Sequence, residues 1–234
     1  MATRSRNIYD AAKTGDLEYL RSAREQSIDL SARNKIGWTP MHCAAAADQV
    51  GVLNYLMRDL SISRSVTTLA PFSGSIVNVL SFGFLSDRSL GSIRHQSLGH
   101  LAAEGGCRAA LDYLSINADL DHYDADGFTP MHLAAMKNKV EAFQRVASLV
   151  NYSEGESKAL LSKPDTSGNP PLHLLPNLAT RGVDGVNRNN PIFDIYISKG
   201  LNHLKNTRGE TAAESISRRN LEFRRETESD NTGD

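Results

Sequence analysis

The sequence predicts an all-α fold, a linear stack of helix–turn–helix units, and three observations carry the prediction. A ten-residue phrase is written twice in nearly the same words, GWTPMHCAAA from Gly37 and GFTPMHLAAM from Gly127, 90 positions apart. Worn copies surround these two, with His42, His100, His132 and His173 in equivalent places at offsets of 58, 32 and 41 residues. A turn segment ending on glycine also recurs: IDLSARNKIG at Gly37, NADLDHYDADG at Gly127 and GLNHLKNTRG at Gly209. Self-similarity at a period of about 20–50 residues marks a repeat array.

The units follow in order. IYDAAKTGDLEYL (8–20) matches the later part of the phrase, Ala11-Ala12 standing for its alanine pair. In the next unit Thr39 can cap a helix, with Pro40 at the first helical position, where a missing N–H costs nothing. The small pair Ala44-Ala45 lets neighbouring helices approach, and Val50, Val52, Leu53 and Leu56 form an apolar helix face at the required spacing. The 58-residue gap is nearly right for two units. TLAPFSGSIVNVLSFGF (68–84) places Gly74 32 residues before Gly106, with Pro71 where the second alanine belongs, as Pro176 is in PPLHLLPN. We read 63–94 as a degenerate repeat; the alternative is a long apolar insertion loop, unusual in a compact domain.

SLGHLAAEGG then brings Ala102-Ala103, backed by Ala110, Leu111 and Leu114, and GFTPMHLAAM brings Thr129, Pro130 and Ala134-Ala135, backed by Val140, Phe143, Val146 and Ala147. Two later periods are long. NYSEGES (151–157) reads as a polar loop, and ATRGVDGVNRNNP (179–191) as a loop separating PPLHLL from IFDIYISKG. In GETAAESI, Gly209 and Thr211 match Gly127 and Thr129, with Glu214 at the histidine place. Arg218, Arg219, Arg224 and Arg225 with Glu222 and Glu226 give one end a charged outer face, and Glu18, Arg21 and Arg24 give the other end the same. Terminal units need such a face because nothing covers it.

The T-P-x-H phrase with a period near 33 residues resembles the ankyrin-repeat family, whose unit is a β-turn followed by two helices. On that resemblance the chain is an ankyrin-repeat solenoid of helical hairpins joined by β-turn loops. It forms one domain, 1–225, of five to seven repeats: about 5–36, 37–62, degenerate 63–94, 95–126, 127–167, 168–208 and a cap at 209–225, with a flexible acidic tail at 226–234. The resemblance implies that the repeated histidine is structural. It also implies a partner-binding groove of turn tips and first-helix faces. The residues so assigned are Arg33, Lys35, Trp38, Ala47, Glu104, Tyr123, Asp126, Phe128, Met136 and Lys137. Trp38 is the single tryptophan, and Trp and Tyr are over-represented among binding hot spots. An equal reading is that Trp38 and Phe128 cover the tops of their own helices.

The rest of the sequence narrows the function classes. With 26 basic and 27 acidic residues the formal net charge is −1, so no basic field favours nucleic acid. The two cysteines, Cys43 and Cys107, have no metal-type spacing and read as apolar filler. The N-terminus lacks a signal-peptide core. The uncharged run 65–86 contains Pro71, Gly74, Gly83 and five serines, too broken for a membrane span. His42 and Cys43 are adjacent, so on a helix they do not face one another, and Cys43 takes the place of Leu101 and Leu133. The run Asp119, Asp121, Asp124, Asp126 lacks the glycine and distal glutamate of a calcium loop. One histidine per repeat, on helices about 8–10 Å apart, cannot converge on a metal whose ligands lie about 2 Å away. No cofactor and no metal are expected. The expectation is a non-catalytic, monomeric scaffold or adaptor that binds another protein, cytoplasmic, with nuclear or host-cytosol locations as variants. Two alternatives stand beside it: a microbial effector binding a host protein, and the targeting module of a larger enzyme or channel.

Overall fold

The computed structural model describes residues 7–62, 95–117, 120, 122–149, 154–176 and 190–230. Helices come in pairs along them. α1 (Ile8–Thr14) pairs with α2 (Leu17–Glu25), and α3 (Pro40–Ala46) with α4 (Val50–Asn54), which runs on as a π-helical turn, Tyr55–Asp59. α5 (Leu98–Gly105) pairs with α6 (Arg108–Asn117), and α7 (Pro130–Met136) with α8 (Val140–Leu149). α9 (Glu154–Ser162) precedes a unit whose first helix is a single 3-10 turn, Pro171–Leu174, and whose second is α10 (Pro191–Ser198). α11 (Ala212–Asp230) comes last. The first helices stack in one row: α1 on α3, α3 on α5, α5 on α7, α7 on the 3-10 turn, and that turn on α11. The second helices α4, α6, α8 and α10 stack in another. This is the all-α solenoid the repeats predict; the described residues form no extended strand, and Lys205 pairs with Thr211 in an isolated bridge.

Helices of seven or eight residues do not hold alone in water, so caps and stacking must supply the stability. In α3 the Thr39 N–H donates to His42 Nδ1 (3.0 Å), and α7 repeats this with Thr129 and His132 (3.0 Å). Pro40 and Pro130 occupy the first helical position. The alanine pairs 44–45, 102–103 and 134–135 are fully buried, which lets the first-helix row close up. The bulk comes from the second helices, where Val52, Leu53, Leu56, Leu111, Leu114, Phe143 and Val146 are buried; truncating such a residue to alanine costs about 2–5 kcal/mol. Between the helices of a unit the chain passes through a left-handed residue, Gly15, Asp48, Gly106 or Asn138. Asp48 and Asn138 tolerate this because short polar side chains bond locally, and both also reach the next unit. Asp48 Oδ1 accepts the Ala110 N–H (2.6 Å), and Asn138 Oδ1 accepts from Asn190 Nδ2 (2.8 Å).

Two expectations need revision, and a third cannot be set against the structure. The degenerate repeat at 63–94 lies outside the described residues. However, α3 stacks directly on α5 and α4 on α6, and Asp48 caps α6 across the gap. The polar loop expected at 151–157 holds the start of α9, from Glu154. That helix buries Leu160 and Leu161 beside α8 and the 3-10 turn, so an apolar pair at its far end supports a polar start. Lastly, the tail expected from 226 is helical to Asp230. Arg218 pairs with Glu222 one turn on (3.0 Å) and with Glu210 (2.8 Å), and such i, i+4 pairs favour a helix modestly.

Candidate functional site

Four turn tips are built alike. Asn34 N–H donates to Trp38 O (2.8 Å) and Gly37 N–H to Asn34 O (2.9 Å), while Asn34 Oδ1 accepts from Ile36 and Trp38 N–H (3.0 and 2.9 Å). Asp124 serves Asp126 and Phe128 in the same way, Asp165 serves Ser167 and Asn169, and Asn206 serves Arg208 and Glu210. The short Asx side chain thus replaces a backbone partner inside the turn. Adjacent tips are tied together: Thr166 Oγ1 donates to Asp126 O (2.7 Å) and Thr207 Oγ1 to Ser167 O (2.8 Å). A Cβ on Gly168, at φ +76°, would overlap Thr207 Cγ2, so that glycine serves both the turn and the close approach of the next tip.

Beneath the tips runs a histidine ladder. In His42, His100 and His132, Nδ1 accepts the N–H of the capping residue, Thr39, Ser97 or Thr129. An accepting Nδ1 leaves the proton on Nε2, which is free to donate across to the next unit. His100 Nε2 donates to Phe128 O (2.9 Å), His132 Nε2 to Asn169 O (3.2 Å), and His173 Nε2 to Glu210 O (3.0 Å). Each acceptor is the last residue of the next tip. Burial holds these imidazoles neutral, pushing His42 down to about 3, with the nearby Arg33 charge adding to it, and His100 and His132 down to about 4. Among the described residues no three His, Cys, Asp or Glu side chains gather to hold a metal ion. Cys43 is buried, and that burial pushes its thiol up to about 12, so it packs as a small apolar group.

The expected contact residues fall into two strips. Arg33, Lys35, Trp38, Tyr123, Asp126 and Phe128 are on or beside tips. Ala47, Glu104, Met136 and Lys137 lie at the far ends of α3, α5 and α7, about 10 Å away along a seven-residue helix. Arg33 and Lys35 are exposed, the Arg33 guanidinium donating to Gly37 O (2.8 Å). Tyr123 is 46% exposed, with the Lys163 ammonium 4.5 Å from its ring centre. Trp38 and Phe128 are half-buried and lean on His42 and His132 of their own units, at 6.3 and 5.9 Å between ring centres. Each ring lies over the histidine cap of its own unit and is partly exposed. Lys137 Nζ lies 3.7 Å from Glu104 Oε1 on the preceding unit. Sequence reasoning missed the Asx residues and the two tip-linking threonines. The first had a visible signal, Asx-x-x-Gly at Asn34, Asp124, Asp165 and Asn206; Thr166 and Thr207 had none.

Capped helical hairpins, Asx turns and a histidine ladder define a repeat solenoid of stacked units. Residues 8–57 match the family model for ankyrin repeats, and the stacked hairpins of the other described residues are built in the same way. The chain is 31% identical over 125 residues to alpha-latrotoxin-Lg1a of Latrodectus geometricus, a match covering 52% of this chain and 7% of the toxin. It is 29% identical over 136 residues to an L-asparaginase of Dirofilaria immitis, covering 53% of this chain and 22% of that protein. The chain thus spans a small part of the curated relatives it matches. The same fold occurs in a chain from the complex of a predatory endopeptidase of Bdellovibrio bacteriovorus with an immunity protein. That match has a TM-score of 0.60 at 20% identity and covers 94% of this chain and 95% of the other. Among the described residues no helix is long and apolar enough to cross a membrane.

Proposed function

We propose that the protein binds another protein through its face of turn tips and first helices, without catalysis. The observation that carries this is the row of tips. Each tip's backbone is held by its own Asx residue, and the later ones are bonded to one another, so their outward side chains are presented on a stiff scaffold. A preorganised surface loses little entropy on binding. Tyr123 on its tip and the cations Arg33 and Lys35 supply the side-chain types enriched at interfaces or able to steer approach. The chemistry offered elsewhere is structural: the ladder histidines are neutral and committed to caps, and Cys43 is a buried thiol.

Because Trp38 and Phe128 support their own caps, their truncation would disturb folding as well as binding. The informative variant is Lys35→Glu with Tyr123→Ala, which changes outward groups. With helicity unchanged by circular dichroism, it is expected to lose a partner captured from lysate by the parent. Equal recovery by both would remove this face from consideration. A second reading, that this array is the targeting module of a larger enzyme or channel, is supported by the small fraction of each curated relative that it spans.

A further inference from the structure

We propose that the junction between the α3–α4 unit and the α5–α6 unit is a hinge, at which the two parts of the array swing open on the tip side while staying pinned on the other. Three of the ladder histidines bond the next tip through Nε2. His42 is the exception: it is fully buried, and among the described residues its Nε2 has no hydrogen-bond partner. The neutral imidazole still carries a proton there, since Nδ1 accepts from Thr39. A buried unpaired donor costs about 1–3 kcal/mol, and opening the tip side to water relieves that cost. The sequence explains the orphan. His42 would reach the residue before the next cap, as His100 reaches Phe128, but that place belongs to Gln96 ahead of Ser97, after the long 63–94 segment. No Asx-x-x-Gly turn precedes Ser97.

The far side of the same junction is bonded. Ala110 N–H donates to Asp48 Oδ1 (2.6 Å), Tyr113 Oη to Asn54 Oδ1 (3.3 Å), and Cys107 Sγ to Ala46 O (3.4 Å). All three lie at the far ends of the first helices or between the second helices. Among the described residues the N-terminal junction also lacks a ladder bond, since Tyr9 takes the histidine place, but Tyr9 is only half-buried and strands no buried donor. Beyond the proposed hinge, the units from α5 to α11 carry the unbroken ladder and the tip-to-tip threonine bonds. The pinned side sets the axis, and rotation about it changes the spacing between Lys35 and Tyr123 on the partner-facing tips.

Two matched distances test this. Spin labels at K35C and D126C span two units across the hinge, and labels at D126C and R208C, an exposed position that leaves the tip-linking threonines in place, span two units within the bonded part. The native Cys43 and Cys107 are buried, their thiols pushed up to about 12 and about 11, so they stay unlabelled at neutral pH. The distance distribution of the first pair is expected to be at least about twice as wide as that of the second. Equal widths overturn the hinge. On the unlabelled chain, hydrogen exchange compares two amides of one junction. Thr39 N–H on the tip side is expected to have a protection factor at least about ten-fold below that of Ala110 N–H on the pinned side. Equal protection would mean that the units separate as a whole, and would likewise overturn it.

Discussion

The α7 unit and the 3-10 unit after it carry the same tip, the same histidine and the same ladder bond, yet one has a helix and the other a single turn. The difference lies in two prolines: Pro170 in the capping place, and Pro176, which has no N–H to continue a helix and holds Leu175 extended (φ −53°, ψ 134°). Thr129 gives His132 Nδ1 a backbone N–H and a hydroxyl, both within 3.0 Å. Pro170 has neither, and among the described residues the buried His173 Nδ1 has no partner. The Pro171–Leu174 turn then ends at Leu175, and an outside group satisfies its carbonyls: Arg219 from α11 donates to His173 O (2.7 Å) and Leu175 O (2.9 Å). The contrast teaches that tip and ladder survive both an early proline and the loss of the cap, whereas the helix does not. The missing turn is replaced from the next unit.

Arg219→Ala should break this comparison most strongly. It strands two carbonyls beside the buried His173, and a loss of about 3 kcal/mol is expected from urea unfolding, as charged donors contribute about 1.5–3 kcal/mol per bond. Arg219→Lys, with one point donor for two acceptors, should recover less than half of it. The next effect separates the two histidines. His132→Asn removes a cap and a ladder bond and should cost about 2 kcal/mol, whereas His173→Asn, with no cap to lose, should cost about 1 kcal/mol less. Equal costs would show that the cap contributes nothing.

The ladder also sets a pH dependence. In the unfolded chain each imidazole takes up a proton near 6.5, but in the folded chain His100 and His132 do so only near 4, and His42 near 3. Between those values the unfolded state holds more protons. Stability is therefore full above about pH 6.5 and falls as the pH drops towards 4, by up to about 1.4 kcal/mol per pH unit for each histidine. Denaturant midpoints across pH 4–8 test this; a flat profile would contradict the burial of the ladder, and the slope should shrink in His132→Asn. The smallest effect sharpens the contrast from the other direction. Pro170→Thr restores both groups that His173 Nδ1 lacks, and Pro170 already has extended backbone angles (φ −59°, ψ 157°) near those of Thr129 (φ −91°, ψ 166°). A gain of about 1 kcal/mol is expected, with higher helicity.

The legibility of the chain followed the range of the forces involved. The phrase Thr-Pro-Met-His could be read because cap, proline and histidine act within four residues of one another, so the α3 and α7 units were plain from sequence. Glu214, at the histidine place, could also be read. It accepts the Thr211 N–H and hydroxyl (2.7 and 2.8 Å), closing the cap with a carboxylate that has no proton to pass on. The start of α9 was read as a loop because its polar opening hides the burial of Leu160 and Leu161 behind it. Of the candidate contact residues, sequence placed Tyr123 and Asp126 near a tip, but it could not show that Trp38 and Phe128 lean on the histidines or that Lys137 reaches Glu104.

By itself the sequence determined the unit: a capped short helix, a small-residue seam, a bulky second helix and an Asx turn, each a matter of neighbours a few residues apart. Only the tertiary structure decided how the units meet. It brought α3 against α5 past 63–94, lent Arg219 to a turn 44 residues away, and left His42 with a proton and nowhere among the described residues to donate it. Stacking couples groups that local pattern cannot see, because the partner of each buried polar atom lies on the next unit.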